Sequence, residues 1–136
     1  MSKITSKEIA TQKRVIKLFQ EELGYTYLGD WEERDGNSNV EVELLANYLK
    51  TKGYSDELIR KSIAKLKTEA DVMKDNLYTS NKDVYKMLRF GVEGIVDDSS
   101  DNKNEQRVHL IDWKKPKNNH FSIAEEVSLP RSSGST

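Results

Sequence analysis

The spacing of the apolar residues changes near Gly91, and this change limits the possible folds more than any other feature of the chain. Before Gly91 the apolar residues recur every three or four positions, as on one face of an α-helix. After Gly91 they alternate with polar residues, as in a half-buried strand. The sequence therefore predicts an α+β fold, in which helices over residues 6–90 pack on a small antiparallel sheet over residues 92–129.

Capping signals divide the helical part into four segments. Thr5 and Glu8 form the S/T-x-x-E pattern of a capping box, which predicts a first helix over about residues 6–23. Each later helix is also predicted from a polar capping residue at its start. The second helix is predicted to start at Ser38–Glu41 and to end before Gly53. The third starts at Ser55 and reaches Met73, and the fourth starts at Ser80–Asp83 and ends at Gly91.

The alternating segments predict three consecutive strands joined by polar loops. They cover residues 92–96, 108–113 and 121–129. Because strands joined by short turn-rich segments usually lie antiparallel, we expect a meander. Residues 25–28 are rich in β-formers and predict a further short strand or extended segment after the first helix.

Two polar residues of the first helix are candidate site residues. Gln12 lies in the middle of the apolar stripe of that helix, so its amide must find a partner. It either ties the helix to neighbouring backbone or faces an active site. Glu8 has the same two interpretations, with capping by Thr5 favoured.

Two carboxylates lie in phase with apolar strand residues. Glu125 follows Phe121 and Ile123 at intervals of two, and Asp112 follows Leu110 in the same way. A carboxylate on an apolar face needs a partner, a metal ion or the edge of a cleft. Exposure at a strand end, or pairing with Lys or Arg, is the simpler interpretation of both.

Composition and charge exclude several classes of protein. The 22 basic and 23 acidic residues give a net charge of −1, which argues against a basic nucleic-acid clamp. No cysteine is present, and the two histidines have no partners at metal-ligand spacing, so neither a disulfide framework nor a zinc site is expected. Nucleotide-binding and serine-hydrolase motifs are missing. The basic residues 114–117 either contact phosphates or form solvated surface, and solvated surface is the simpler interpretation. No apolar run approaches the length of a membrane span, and we expect a cytoplasmic protein.

One long motif resembles a known family. Residues 110–127 follow the pattern L-I-D-x-x-x-P-x-N-N-x-F-x-I-x-x-x-V. This pattern resembles a stretch near the N-terminus of the R subunit of type I restriction-modification enzymes. Residues 22–31 resemble the end of that subunit's first helix, and residues 76–92 resemble its segment of a helix followed by a strand. The resemblance covers about residues 5–129.

The resemblance implies an incomplete PD-(D/E)xK-type, restriction-endonuclease-like nuclease domain. Residues 1–129 would be its N-terminal part, and residues 130–136 a disordered or artificially added tail. The parent enzyme would cleave foreign double-stranded DNA with Mg²⁺ and ATP, together with methylation and specificity subunits. The family often carries a glutamate on the first helix that faces the metal, and Gln12 matches that position best, with Glu8 as the alternative one turn earlier.

The chain departs from the family after the last predicted strand. In the family that strand leads into R-P-D and later into E-x-K, and neither tripeptide follows here. We therefore expect the isolated chain to be inactive, to hold no cofactor or metal of its own, and to bind DNA weakly or not at all. The alternative function is a non-catalytic interaction module that docks other restriction-modification subunits.

Overall fold

The computed structural model describes residues 5–38, 40–71, 76–99 and 104–128. Within these ranges it contains helices, strands and one short 3₁₀ turn, so the predicted mixed α+β class is confirmed. The elements are α1 (Ser6–Glu21), β1 (Thr26–Asp30), α2 (Val42–Thr51), α3 (Asp56–Glu69), α4 (Leu77–Phe90), β2 (Val92–Ile95), β3 (Gln106–Val108), the 3₁₀ turn Pro116–Asn118 and β4 (Ser122–Glu125).

The chain divides into two compact units. Met1–Ser38 and His120–Thr136 form one, here called the terminal unit, and Asn39–Asn119 form the other, the central unit. None of the helices within the described ranges is both long enough and apolar enough to cross a membrane. The predicted tail, residues 130–136, lies outside the described residues.

The terminal unit joins α1 to a pair of parallel strands. The predicted capping box is confirmed: the Glu8 N–H donates to Thr5 Oγ1 at 3.2 Å, and the Thr5 N–H donates to Glu8 Oε2 at 3.3 Å. After α1, the Tyr25 ring stacks on Phe121 at 5.1 Å and meets Phe19 edge-on at 4.9 Å. These aromatic contacts bring the segment after α1 against β4.

The predicted antiparallel meander is wrong for the last strand. β2 and β3 do pair antiparallel, with Val92 opposite Val108. β4 instead pairs in parallel with β1, far upstream in the sequence, with Asp30 opposite Glu125. An alternating pattern shows that a segment is extended and half-buried, but it does not identify the partner strand.

The core of the central unit is built from α2, α3, α4, β2 and β3, with Met87 as the contribution of α4. Leu49, Val92 and Val108 are fully buried there. The Ser55 cap is confirmed, since its Oγ accepts from the Leu58 N–H at 3.2 Å. The third helix ends at Glu69, earlier than predicted, and the expected end at Met73 lies outside the described residues.

Two predicted helix starts are wrong. α2 begins at Val42 with Glu41 as its capping residue, so Ser38 is not at the N-cap position that the sequence predicted. α4 begins at Leu77, where Asn76 Oδ1 accepts from the Thr79 N–H at 2.8 Å, and Ser80 is a buried residue within the helix. Asn caps as well as Ser or Asp does, so local sequence offered competing starts.

The strand predicted at residues 108–113 is wrong except at Val108, because β3 covers Gln106–Val108 and the residues after it form a loop that side chains hold in place. Asp112 accepts from the Lys115 N–H at 2.8 Å, from Asn118 Nδ2 at 3.1 Å and from Lys52 Nζ at 3.2 Å. Asn119 accepts from the Asp112 N–H at 2.8 Å and donates to the Asp112 carbonyl at 2.9 Å. The backbone there follows these bonds instead of a strand ladder.

Gly91, between α4 and β2, is expected to tolerate no side chain. Its φ is +93°, and an added Cβ would lie 3.1 Å from the Val108 carbonyl oxygen. Gly91→Ala should therefore lower the free energy of unfolding by about 2–4 kcal/mol, from backbone strain plus overpacking. Gly53→Ala is the matched control, because φ there is +87° with nothing within 4 Å of the added carbon; it should cost only about 1 kcal/mol. Equal losses in urea unfolding would contradict this account.

Asp112 should make the stability of the chain depend on acid pH. Its pKa is lowered to about 2, chiefly because the Lys115 N–H and the Asn118 amide stabilise the carboxylate. A carboxyl group with a depressed folded-state pKa stabilises the fold fully above its unfolded pKa, and this contribution disappears as pH falls through the folded pKa. The difference in unfolding free energy between the wild type and Asp112→Asn should therefore shrink between about pH 4 and pH 2. A difference independent of pH over that range would refute the assignment.

Candidate functional site

The carboxyl ends of β1 and β4 lie side by side in the terminal unit. Asp30 ends β1, Glu125 ends β4, and the two residues are register partners. The Glu125 carbonyl also accepts from the Trp31 N–H at 2.8 Å, which continues the pairing beyond β1. Ligands commonly bind outside the carboxyl ends of parallel strands, so this edge is a candidate binding site.

Gln12 of α1 reaches this edge and binds Glu125. Its Nε2 donates to Glu125 Oε1 at 3.0 Å, and the hydroxyl of Tyr27 donates to Glu125 Oε2. The predicted need of the Gln12 amide for a partner is confirmed, and the partner is a carboxylate instead of backbone. The two hydrogen bonds fix the Glu125 carboxylate between the helix and the neighbouring strand.

The contact with Glu125 also affects the titration of the Tyr27 hydroxyl. The hydrogen bond to Glu125 raises the pKa of Tyr27, with smaller contributions from burial and from the negative charges of Glu125 and Asp30. A neutral phenol remains a hydrogen-bond donor, whereas a phenolate would repel the carboxylate.

The site opens into an acidic cleft of about 210 Å³. Gln12 and Lys13 lie on one side of its lining, and its carboxylates are Asp30, Glu32, Glu125 and Glu126. Glu126 has a φ of +55°, a left-handed conformation unusual outside glycine, and it follows β4 directly. The surplus of carboxylates makes the cleft attractive to cations and repulsive to a bare phosphate group.

The carboxylates of the cleft do not form a ready metal centre. Within the ranges that the structure describes, no three His, Cys, Asp or Glu side chains are arranged to hold a metal ion. Each oxygen of Glu125 already accepts a hydrogen bond. Mg²⁺ prefers near-ideal octahedral oxygen geometry, so these residues could supply one ligand or orient water, but they do not make a cage.

The other sequence candidates lie elsewhere. Glu8 is in the capping box with Thr5, as its favoured interpretation predicted, and does not line the cleft. Asp112 lies in the central unit and pairs with Lys52, which confirms the interpretation of a structural ion pair.

Sequence reasoning missed Tyr27 and Asp30 as members of the site. Both belong to a short β-rich segment whose importance depends on parallel pairing with a strand more than ninety positions later. A weak signal was present, because Glu125 needed a donor and Tyr27 is in an alternating segment.

The geometry defines a mixed α+β domain with a polar cleft at the carboxyl ends of two parallel strands. The model of the family described as type I restriction enzyme R protein N terminus matches residues 5–135. The chain therefore belongs to this family, and the resemblance seen in residues 110–127 is confirmed. Comparisons with curated proteins and with solved structures gave no significant match.

The contact between Tyr27 and Glu125 can be tested by residue-specific titration. Glu125→Gln removes the negative charge that disfavours the phenolate, so the pKa of Tyr27 should fall toward its ordinary value of 10.0. Carbon-13 NMR of the labelled tyrosine ring carbon next to oxygen follows each tyrosine separately. The matched control, Glu22→Gln, alters an exposed glutamate at the end of α1 and should leave the titration of Tyr27 unchanged. An unaltered Tyr27 titration in Glu125→Gln would show that the contact is not formed in solution.

Proposed function

We propose that this chain forms the N-terminal part of the nuclease region of a type I restriction R subunit. The parent enzyme would cleave foreign double-stranded DNA in a reaction that uses ATP and Mg²⁺, and would act with methylation and specificity subunits. Membership of the R protein N-terminus family over residues 5–135 supports this assignment. The DNA, the subunits and the two cofactors belong to the proposal for the whole enzyme.

The Gln12–Glu125 hydrogen bond carries the proposal for a site. It joins the first-helix position that the family resemblance singles out to the end of β4. In the family, the strand that matches residues 121–129 leads into the catalytic aspartate. Gln12 and Glu125 would therefore lie beside the place where that aspartate enters the domain.

In this site Gln12 acts as a positioning residue. Its amide donates a hydrogen bond and carries no charge, so it holds Glu125 Oε1 without neutralising the carboxylate. Tyr27 holds the second oxygen from the neighbouring strand. Groups of this kind fix the orientation of a carboxylate that binds a metal or its water.

Mg²⁺ would supply charge neutralisation at the phosphodiester and an activated water. The carboxylates of the described part do not complete a cage for it, so further ligands would have to come from other residues of the parent enzyme. ATP is not assigned to these residues, because the sequence contains no phosphate-binding G-x-x-x-x-G-K-[ST] loop.

The proposal is tested in a full-length R subunit that begins with this chain, assembled with its methylation and specificity subunits. Gln12→Leu and Glu125→Gln should each lower the rate of DNA cleavage about tenfold or more, the loss typical for partners that orient a metal ligand. ATP hydrolysis and thermal stability should change little. The matched controls, Gln20→Leu and Glu22→Gln, alter exposed residues of the same helix region and should leave all three measurements unchanged.

Cleavage at the wild-type rate in both variants would show that Gln12 is only a satisfied structural amide. A parallel loss of cleavage, ATP hydrolysis and stability would show that the contact supports the fold and has no separate role in cutting.

The interaction module remains a second candidate because α1 exposes apolar side chains. Val15 is 43% exposed and Leu18 is 50% exposed. If this face docks another subunit, Leu18→Glu should weaken assembly of the complex, measured by size-exclusion chromatography. The complexes that do form should still cleave DNA at the normal rate. Under the nuclease proposal, Gln12→Leu shows the opposite pattern, with normal assembly and slow cleavage.

A further inference from the structure

The central unit contains a second cleft, which the cleavage proposal does not use. Its volume is about 400 Å³, within the range of small-molecule sites. Its lining includes the aromatic rings of Tyr48, Tyr54 and Trp113 and the imidazole of His109. The acidic cleft of the terminal unit is lined mainly by carboxylates, whereas this cleft is lined by aromatic rings, which favour a flat ligand.

Hydrogen bonds hold the aromatic rings in place. The Trp113 indole N–H donates to the Leu88 carbonyl at 2.8 Å, while about half of the Trp113 surface stays exposed. The Tyr54 hydroxyl accepts from the His109 N–H at 3.0 Å. Rings that are already oriented lose little entropy when a ligand packs on them.

The cleft also carries an excess of positive charge. Lys52, Arg89 and Lys114 line it against one carboxylate, Asp112. Asp112 is paired with Lys52 at 3.2 Å. Arg89 lies over the Trp113 ring at 5.6 Å, and neither Arg89 nor Lys114 pairs with a carboxylate in the part of the chain that the structure describes. Two cations therefore remain to attract an anion.

We propose that this cleft binds a nucleotide, with the base against Trp113 and the phosphate beside Arg89 and Lys114. Bases stack on aromatic side chains regardless of sequence, and Arg and Lys are the usual phosphate partners. A small inorganic anion would use the cations but not the rings. The nucleotide is either free or an unpaired residue of a DNA strand, since a base stacked in a duplex cannot reach the ring.

The binding site does not depend on the cleavage proposal, and its test uses the 136-residue chain itself. The chain has two tryptophans, so Trp31→Phe and Trp113→Phe each leave a single fluorescent reporter. Each variant is titrated with deoxyadenosine monophosphate, inorganic phosphate, deoxyadenosine, a short single-stranded oligodeoxyadenylate and its duplex. Circular dichroism confirms that both variants are folded.

The nucleotide should change the fluorescence of Trp113 and leave that of Trp31 unchanged. It should bind about 5-fold to 150-fold more tightly than inorganic phosphate, the range expected for one stacked base. In the Trp31→Phe background, Arg89→Gln and Lys114→Gln should each weaken binding about tenfold. Lys117→Gln, which alters the same basic run outside the cleft lining, is the matched control and should bind normally.

The other titrations identify the source of the nucleotide. Tighter binding of the single strand than of the mononucleotide would identify a DNA strand as the ligand. Equal or weaker binding of the strand would identify a free nucleotide. Three results would overturn the proposal: no change at Trp113 in a folded protein, phosphate binding as tight as nucleotide binding, or equal losses in Lys114→Gln and Lys117→Gln.

Discussion

The parallel pairing of β1 and β4 is the constraint on which the terminal unit depends. It joins residues 26–30 to residues 122–125 and so closes the two ends of the described chain into one unit. Without it Glu125 would lie neither beside Tyr27 nor within reach of Gln12. A pair of strands is too small to be stable alone, and the packing of Tyr25 between Phe19 and Phe121 supplies part of the apolar contact that it needs.

The central unit depends in a similar way on polar side chains, which order the loop after β3. The side-chain amide of Asn119 forms hydrogen bonds with the backbone N–H and carbonyl of Asp112. The hydroxyl of Tyr48 in α2 also donates to Asn119 Oδ1. These bonds place Trp113 and Lys114 at the second cleft. The family motif L-I-D-x-x-x-P-x-N-N therefore has a physical role in this chain, because its Asp and second Asn hold the loop in one conformation.

Local sequence predicted the features that depend on local physics. The capping box of Thr5 and the cap of Ser55 were correct, because capping involves residues three positions apart. The starts predicted at Ser38 and Ser80 were wrong, because neighbouring residues take the capping positions there. The meander was wrong, because the partner of β4 is chosen by contacts across almost the whole chain. The helical spacing, which is local, showed that Gln12 needs a partner. It did not show that Glu125, Tyr27 and Asp30 lie near Gln12, because the long-range pairing of β1 with β4 brings them there.

The central claim is that Gln12 serves cleavage through Glu125, and a double-mutant cycle measures this coupling most directly. The cleavage rate of the full-length R subunit would be compared for Gln12→Leu, Glu125→Gln and the double variant. If Gln12 acts only by holding Glu125, the double variant should cleave no more slowly than the slower single variant. Losses that multiply in the double variant would show that the two residues act independently and would contradict the account.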